Sequence, residues 1–562
     1  MRILSLLLTL TLSNFLSAQA PSFEWATSMG GASLDRGSSI TTDALGNVYT
    51  TGYFENTLDF DPGAGTYNLT SNGGWDIFIQ KLDANGNFIW ATNMGGTIQD
   101  FGYSITIDTG GNVYTTGQFR NTADFDPGAG TFDLTSNGGA DIFIQKLDAS
   151  GNFIWAKSFG STGIDYGTSI ATDASGNTYT TGYFENTVDF DPGAGVFNLI
   201  SNGNTDIFIQ KLDNNGDFIW ATSLGAANQE VVRSITTDAS GNIYTTGDFE
   251  DSVDFDPGAA TFNLISNGSK DIFIQKLDAS GTFVWAKSMG GTGQEAGGLS
   301  TTDALGNIYT TGSFRNTVDF NPGAGTFNLT SSGVNDIFIQ KLNANGTFIW
   351  AKNMGGTGSA SGAGITADEL GNMYTTGAFE NTVDFDPGAG TFNLTSNGAY
   401  DIFIQKLDSS GTFIWAQNMG GTGGATGTSI TTDALGNVYT TGLFENTVDF
   451  DPGAGAFNLT SSGNWDIFIQ KLSQSGVGII ENYFGNQLLL YPNPTNGNFS
   501  IDLGDNLNTV MITMTDLHGK LIRSNTYNDS QLLNFQIEES AGIYLLMIES
   551  GDKKAVIRLV KE

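Results

Sequence analysis

The heptapeptide DIFIQKL recurs seven times, beginning at Asp76, Asp141, Asp206, Asp271, Asp336, Asp401 and Asp466, always with a step of 65 residues. A second series keeps the same step in a different phase. It consists of F-x-W-A segments centred on Trp25, Trp90, Trp155, Trp220, Trp285, Trp350 and Trp415. The series are offset at their ends: the chain opens with an F-x-W-A unit that no DIFIQKL precedes, and the last DIFIQKL has no F-x-W-A after it. A constant period means that each repeat is one supersecondary unit that buries its faces against its neighbours. Complementary ends predict that the first segment completes the last repeat.

The unit from Gly37 to Gly95 shows what is repeated. Ser39 to Thr42 and Val48 to Gly52 flank the turn Ala44-Leu45-Gly46-Asn47, and the arms are rich in β-branched and aromatic residues, as in a hairpin. Ile77 to Leu82 and Phe88 to Ala91, joined by Asp83 to Asn87, form a second hairpin. Four strands per repeat make one propeller blade. The expected fold is therefore all-β: a seven-bladed β-propeller over residues 19–472, closed by the N-terminal strand, followed by a linker over 473–487 and a small C-terminal β-sandwich over 488–562. Such a closure removes the exposed sheet edges that an open array leaves. An open solenoid would instead need polar capping units at both ends.

The order of strands also fixes faces. The connection between second and third strands lies on the same side as the link to the next repeat. That side carries the insert Phe54 to Gly65 and the most variable segments, Ala32 to Arg36, Thr97 to Phe101, Ala226 to Val232 and Thr422 to Thr426. Ligand specificity is expected there.

Each insert contains D-F-D-P-G, with the pairs Asp59 and Asp61, Asp124 and Asp126, Asp189 and Asp191, Asp254 and Asp256, Asp384 and Asp386, and Asp449 and Asp451; the copy at Asp319 reads D-F-N-P-G. In an extended segment residues i and i+2 share a face, so the carboxylates project together. One reading is a calcium site, although calcium takes six to eight oxygens and the motif supplies two side chains. The other is that each Asp accepts backbone N–H bonds from its own turn. No other cofactor is expected.

The periodic tryptophans are read as packing between neighbouring repeats, and the aperiodic Trp75 and Trp465 as exposed. The single histidine, His518, lies outside the repeats, so no Ser-His-Asp arrangement can be assembled within them. Paired carboxylates can hydrolyse glycosides, but they occur in nearly every repeat alike, and no departure from the repeat looks catalytic. A non-enzymatic protein is expected.

The formal charge is −36, which repels phosphate backbones and anionic lipid surfaces and argues against nucleic-acid binding. There is no cysteine, hence no disulfide or thiol chemistry. Met1-Arg2, the apolar run Ile3 to Leu12 and Ala18-Gln19-Ala20 read as a secretory signal peptide over residues 1–18, too short to span a membrane. No later segment is apolar enough to span one.

The tail carries Tyr491-Pro492-Asn493-Pro494, Asp516-Leu517-His518-Gly519-Lys520, Ala541-Gly542-Ile543-Tyr544 and Arg558-Leu559-Val560-Lys561. These four motifs, in this order, closely resemble the type A C-terminal sorting domain of the Bacteroidetes type IX secretion system. The resemblance implies that residues 488–562 engage the secretion machinery, with passage through the outer membrane to the surface or the medium. The repeats, with D-x-x-G-N-x-Y-x-T-G, D-I-F-I-Q-K-L and G-x-F-x-W-A, are similar to the bacterial β-propeller repeat SBBP, which implies the fold and no particular activity. The expected protein is a secreted or surface-bound monomer that binds a polysaccharide or a surface protein as an adhesion module. A calcium-loaded structural protein and a polysaccharide-degrading enzyme using carboxylates are the alternatives.

Overall fold

The computed structural model describes residues 20–228, 230–368, 370–474, 488–493, 495–516, 521–540, 542–551 and 553–561. Its regular elements are all strands; the described residues contain no helix. Residues 1–18, His518 and most of the 473–487 segment lie outside the described residues. The chain divides into two units, Ala20–Gln474 and a C-terminal one within Ser475–Glu562.

Within the first unit the repeat builds a propeller-like β fold from four-stranded antiparallel sheets. In the first complete copy the order from inside outward is Arg36–Thr42, Val48–Phe54, Asp76–Leu82 and Phe88–Gly96. The inner turn forms because Asp43 Oδ1 accepts the N–H groups of Leu45 and Asn47, both at 2.9 Å. Gly46 there adopts a left-handed φ of 77°. DIFIQKL is buried at every position because strands flank it on both sides and neighbouring sheets cover both faces. Its amide and ammonium donors find local acceptors, while the buried Gln80 Oε1 and Asp76 Oδ1 have no hydrogen-bond partner among the described residues. Gln80 Nε2 donates to Phe60 O at 2.7 Å, and Lys81 Nζ lies 4.7 Å from the Tyr49 ring centre while donating to Ala149 O of the next repeat at 3.2 Å.

The last repeat supplies only Ala425–Thr432, Val438–Phe444 and Asp466–Ser473, and its fourth strand is Ser22–Met29 from the start of the chain. The registers agree. Ile467 pairs with Met29 and Lys471 with Trp25, just as Ile77 pairs with Met94 and Lys81 with Trp90. A contact that links the first two repeats also links the last repeat to the first. Ser39 Oγ accepts from Ile105 N at 3.4 Å, and Ser429 Oγ accepts from Ile40 N at 3.3 Å. Apolar side chains between adjacent sheets form clusters such as Tyr49, Ile77 and Ile79 with Ile105, Val113 and Phe143. A corresponding cluster joins Tyr439, Ile467 and Ile469 to Ile40, Val48 and Phe54.

The periodic indoles sit at these junctions. Trp25 Nε1 donates to Ala84 O and Trp90 Nε1 to Ala149 O, both at 3.3 Å, each reaching the outer turn of the following repeat. Trp75 and Trp465, expected to be exposed, are half-buried: Trp75 Nε1 donates to Leu34 O at 2.8 Å, and Trp465 stacks on Tyr400 with ring centres 6.2 Å apart. The insert also differs from expectation. It is a short hairpin, Thr122–Asp124 with Asp133–Thr135 in the second copy, and its first strand extends the outermost strand of the preceding repeat through Ala123 opposite Gly96.

The DIFIQKL aspartate explains an otherwise puzzling glycine. A Cβ on Gly160 would lie 2.1 Å from Asp141 Cγ, and Asp141 is fully buried. Gly160→Ala is therefore expected to destabilise the protein by about 2–3 kcal/mol, in the range of overpacking. A Gly160→Ala, Asp141→Ala double variant should lose less than the sum of the two single losses in denaturant titrations. Strict additivity would refute the clash.

The C-terminal unit is a five-stranded antiparallel sheet ordered Leu489–Tyr491, Asn498–Asp516, Gly542–Ser550 and Lys553–Lys561, with Leu521–Gln536 also paired to Asn498–Asp516. In place of the two sheets of a sandwich, one hydrogen-bonded sheet contains both halves, because two expected strands merge into Asn498–Asp516 across a register shift between Asp502 and Leu507. That shift changes the inward-facing parity. Phe499, Ile501 and Leu503 before it, and Val510, Ile512 and Met514 after it, enter the same core with Leu546, Ile548 and Leu559.

Candidate binding site

The innermost strands of all seven repeats line one cavity of about 740 Å³. Two positions of the repeat converge on it, and a third lies beside them and reaches it through Tyr183. Along the chain the first reads Arg36, Phe101, Tyr166, Val231, Ala296, Ser361 and Thr426, and the second, two residues later, reads Ser38, Tyr103, Thr168, Arg233, Gly298, Ala363 and Thr428. The third lies on the neighbouring strand: Tyr53, Gln118, Tyr183, Asp248, Ser313, Ala378 and Leu443. The first and third are cross-strand partners, as in Arg36 opposite Tyr53 and Tyr166 opposite Tyr183. Outside these positions, the loops leading into the innermost strands and the residues just before DIFIQKL, the copies are nearly identical, and the tyrosine at Tyr49 and its six counterparts never changes.

The departures are not scattered. Repeats one to four contribute the aromatic and charged side chains, and repeats five to seven mostly small ones, so one half of the mouth is bulky and the other open. The aromatic half is continuous. Tyr53 meets Phe101 edge-on at 4.8 Å and Trp75 at 6.0 Å; Phe101 stacks on Tyr103 at 6.0 Å; Tyr103 meets Tyr166 at 6.5 Å, and Tyr166 meets Tyr183 at 4.8 Å. Burial pushes the Tyr183 hydroxyl up to about 12 and raises Tyr103 as well, so both stay neutral and serve as hydrogen-bonding groups.

Two guanidinium groups bracket this belt. Arg36 is exposed and forms no ion pair among the described residues. Arg233 Nε donates to Asp248 Oδ1 at 3.0 Å, and Lys270 Nζ lies 3.0 Å from Asp248 Oδ2. The buried Asp248 thus faces two cations, which leaves that corner with a net positive charge. The cavity lining contains no carboxylate and no histidine.

Below the rim stands a tier of buried carboxylates. Asp35 accepts the N–H groups of Gly31 and Glu55, Asp100 those of Gly96 and Arg120, and Asp165 those of Ser161 and Glu185, at 2.6–3.0 Å. These groups hold the loops that lead into the innermost strands, and so they position Arg36, Phe101 and Tyr166.

The paired aspartates of the inserts lie in the outer hairpins, away from the cavity. In every copy the first carboxylate accepts two backbone N–H groups of its own turn. Asp59 Oδ1 bonds Asp61 N at 3.0 Å and Tyr67 N at 2.8 Å, and Asp124, Asp189, Asp254, Asp319, Asp384 and Asp449 repeat this pattern. The second, Asp61, Asp126, Asp191, Asp256, Asp386 or Asp451, accepts the N–H of the glycine two residues on, at 2.8 Å. Among the described residues no three acidic, histidine or cysteine side chains are grouped to hold a metal ion.

Sequence reasoning located the variable segments that end at Arg36, Phe101, Val232 and Thr426 but missed Tyr53, Tyr103, Tyr183, Arg233, Asp248 and Lys270. The signal was present: aligned in register, Tyr53, Tyr103 and their counterparts differ between copies while the residues beside them change little.

Comparison with known proteins agrees with the fold. Residues 489–562 match the secretion system C-terminal sorting domain, and residues 219–248 match a β-propeller repeat, SBBP. An all-β chain of propeller-like repeats carrying a type IX sorting tail is thus the class defined. The tail implies export to the cell surface or extracellular space, and among the described residues no helix is long and apolar enough to cross a membrane.

An uncharacterized WD repeat-containing protein of Acanthamoeba polyphaga mimivirus is 26% identical over 75% of this chain and 36% of its own length. The regulatory protein FlaEY of Caulobacter vibrioides is 25% identical over 40% of this chain and 24% of its own. The chain therefore spans about a third or less of these curated relatives. A crystal structure of a protein of unknown function from Bacteroides thetaiotaomicron aligns over 78% of this chain and 98% of that one, with 12% identity and a TM-score of 0.25.

Proposed function

We infer that the chain is a non-enzymatic binding module exported by the type IX route, in which a closed seven-bladed propeller presents the asymmetric cavity mouth to a partner outside the cell. The observation that carries this reading is where the repeat symmetry breaks. Seven similar copies need no variety to pack, yet part of the variety among them falls at positions facing one cavity of a size typical of ligand sites. The closed ring is supported by the pairing of Ser22–Met29 with Asp466–Ser473 and by the contacts of Ser429 and Thr432 with Ile40 and Thr42. The WD repeat named in the mimivirus relative is itself a propeller blade, which supports the same architecture. The lack of carboxylate and histidine in the cavity lining supports binding without hydrolysis.

The aromatic belt is suited to the apolar faces of sugar rings. The test is a glycan array probed with the mature protein and with Tyr103→Ala, Tyr183→Ala. The wild type is expected to retain glycans that the variant releases by at least about tenfold, a loss of roughly 1.4 kcal/mol, while both melt alike. Equal binding by the two proteins would remove the cavity from the function, and sugar release from bound glycans would make the protein an enzyme.

A further inference from the structure

The charge of the cavity mouth runs against the charge of the molecule. The chain carries 58 acidic and 22 basic residues, and the lysine of each DIFIQKL copy is buried between repeats. Against this background two arginines, Arg36 and Arg233, open into a single cavity whose lining has no acid. Asp248, beside Arg233, is neutralised twice, by Arg233 and by Lys270, and Asp35, Asp100 and Asp165 below the rim are turned to backbone N–H groups. Arg36 has no acidic partner among the described residues. Between the two guanidinium groups run Tyr103, Tyr166 and Tyr183.

We propose that the mouth recognises a glycan end bearing one carboxylate, such as a terminal uronic acid, with the sugar face against the tyrosines and the carboxylate on Arg36 or Arg233. A planar guanidinium meets a carboxylate with two parallel N–H bonds, and it is more weakly hydrated than an ammonium, so it gives up water readily in a half-enclosed site. The tyrosines supply flat apolar area with hydroxyls at its edge. The overall charge selects how much anion is accepted. At physiological salt the field of the remote carboxylates is screened within about 8 Å, so a single carboxylate reaching an arginine feels that arginine. A polyanion lying across the surface meets acidic groups along its whole length and is repelled. The ligand is thus a sparsely charged glycan rather than a polyuronate or a nucleic acid.

The proposal rests on the cavity being the binding site, and its test separates the two ideas. Titration calorimetry of the full mature protein compares cellobiouronate, glucuronic acid linked to glucose, with cellobiose, which differs only at one carboxylate. The acidic sugar is expected to bind at least about tenfold more tightly. Arg36→Gln with Arg233→Gln should erase that preference; Arg36→Gln alone should weaken it and leave the melting temperature unchanged, because that side chain is exposed and forms no ion pair among the described residues, and Arg36→Lys should recover part of it. Cellobiose binding as tightly as cellobiouronate, with both lost in Tyr103→Ala, would keep the site and overturn the preference for an acid. If neither sugar binds, both ideas fail.

Discussion

Removal of Ser22–Met29 is expected to lower the melting temperature of the protein by about 10 °C or more, a larger effect than any substitution at the cavity. The strand pairs with Asp466–Ser473 over its whole length, so its loss exposes the backbone of the most buried strand of the last repeat. It also removes Met29, 2% exposed in the core between last and first repeats, and the ion pair of Glu24 with Lys471 at 2.9 Å. Deleting a buried methionine side chain alone costs about 2–5 kcal/mol. Several ladder hydrogen bonds add on the order of 1 kcal/mol each. A total of at least about 5 kcal/mol, at roughly 2 °C per kcal/mol for a large domain, gives the stated shift. The same peptide added in trans should restore part of the loss, since the vacated edge offers the register that Met94 and Trp90 occupy beside Ile77 and Lys81 in the first repeat. A deletion variant that melts with the wild type would rule out the ring and favour an open array.

The register of this pairing was legible in the sequence because a period of 65 residues repeats the same local chemistry, and whatever one copy reveals holds for all. Strand ends, inner turns and the indole contacts followed from that. The insert hairpin did not. Its strands are three residues long, and D-F-D-P-G carries a turn signal stronger than any strand signal. In the C-terminal unit Lys553–Lys561 went unread, and Leu521–Gln536 was read only at its start, because most of its first ten residues face solvent and show little apolar alternation. The cavity mouth was hidden for the opposite reason. Its residues come one or two at a time from four repeats, and only the packing of distant strands around one space brings Arg36, Tyr103, Tyr183 and Arg233 together.

Stability is also expected to depend on pH in a direction unusual for a folded protein, with the melting temperature highest near pH 4–5 and lower at pH 8. Burial raises Asp35, Asp100, Asp141 and Asp165 from 3.8 to about 6, Asp76 to about 7, and Glu230 and Glu295 from 4.5 to about 7. Neighbouring acids add to the effect, as Asp100 does for Asp76, while backbone N–H groups oppose it. A carboxyl group whose pKa is higher folded than unfolded contributes stability that is full below the unfolded value and is lost as pH rises through the folded one. For these groups the loss runs from about pH 4 to about pH 7. The turn aspartates work the other way. Burial is the largest single influence on Asp83, Asp108, Asp148, Asp173 and Asp303 and would raise them, but the hydrogen bonds of their own turns together outweigh it and lower them, so their contribution is present above pH 3.8 and fades as pH falls further. The two windows meet near pH 4. One fully buried group shifted by two pKa units is linked to about 3 kcal/mol, and adjacent acids that share the penalty do not add in full. General repulsion in a chain of charge −36 has the same sign, but salt separates them: repulsion between exposed charges is screened, whereas the cost of burying a carboxylate is not. Calorimetric melting between pH 3 and 8 at low and high salt should keep most of the slope between pH 4 and 7. Glu230→Gln, which retains a carbonyl acceptor for Ala226 N, should flatten part of it. A slope that vanishes in high salt would assign the effect to the surface and leave the buried carboxylates ionised without cost.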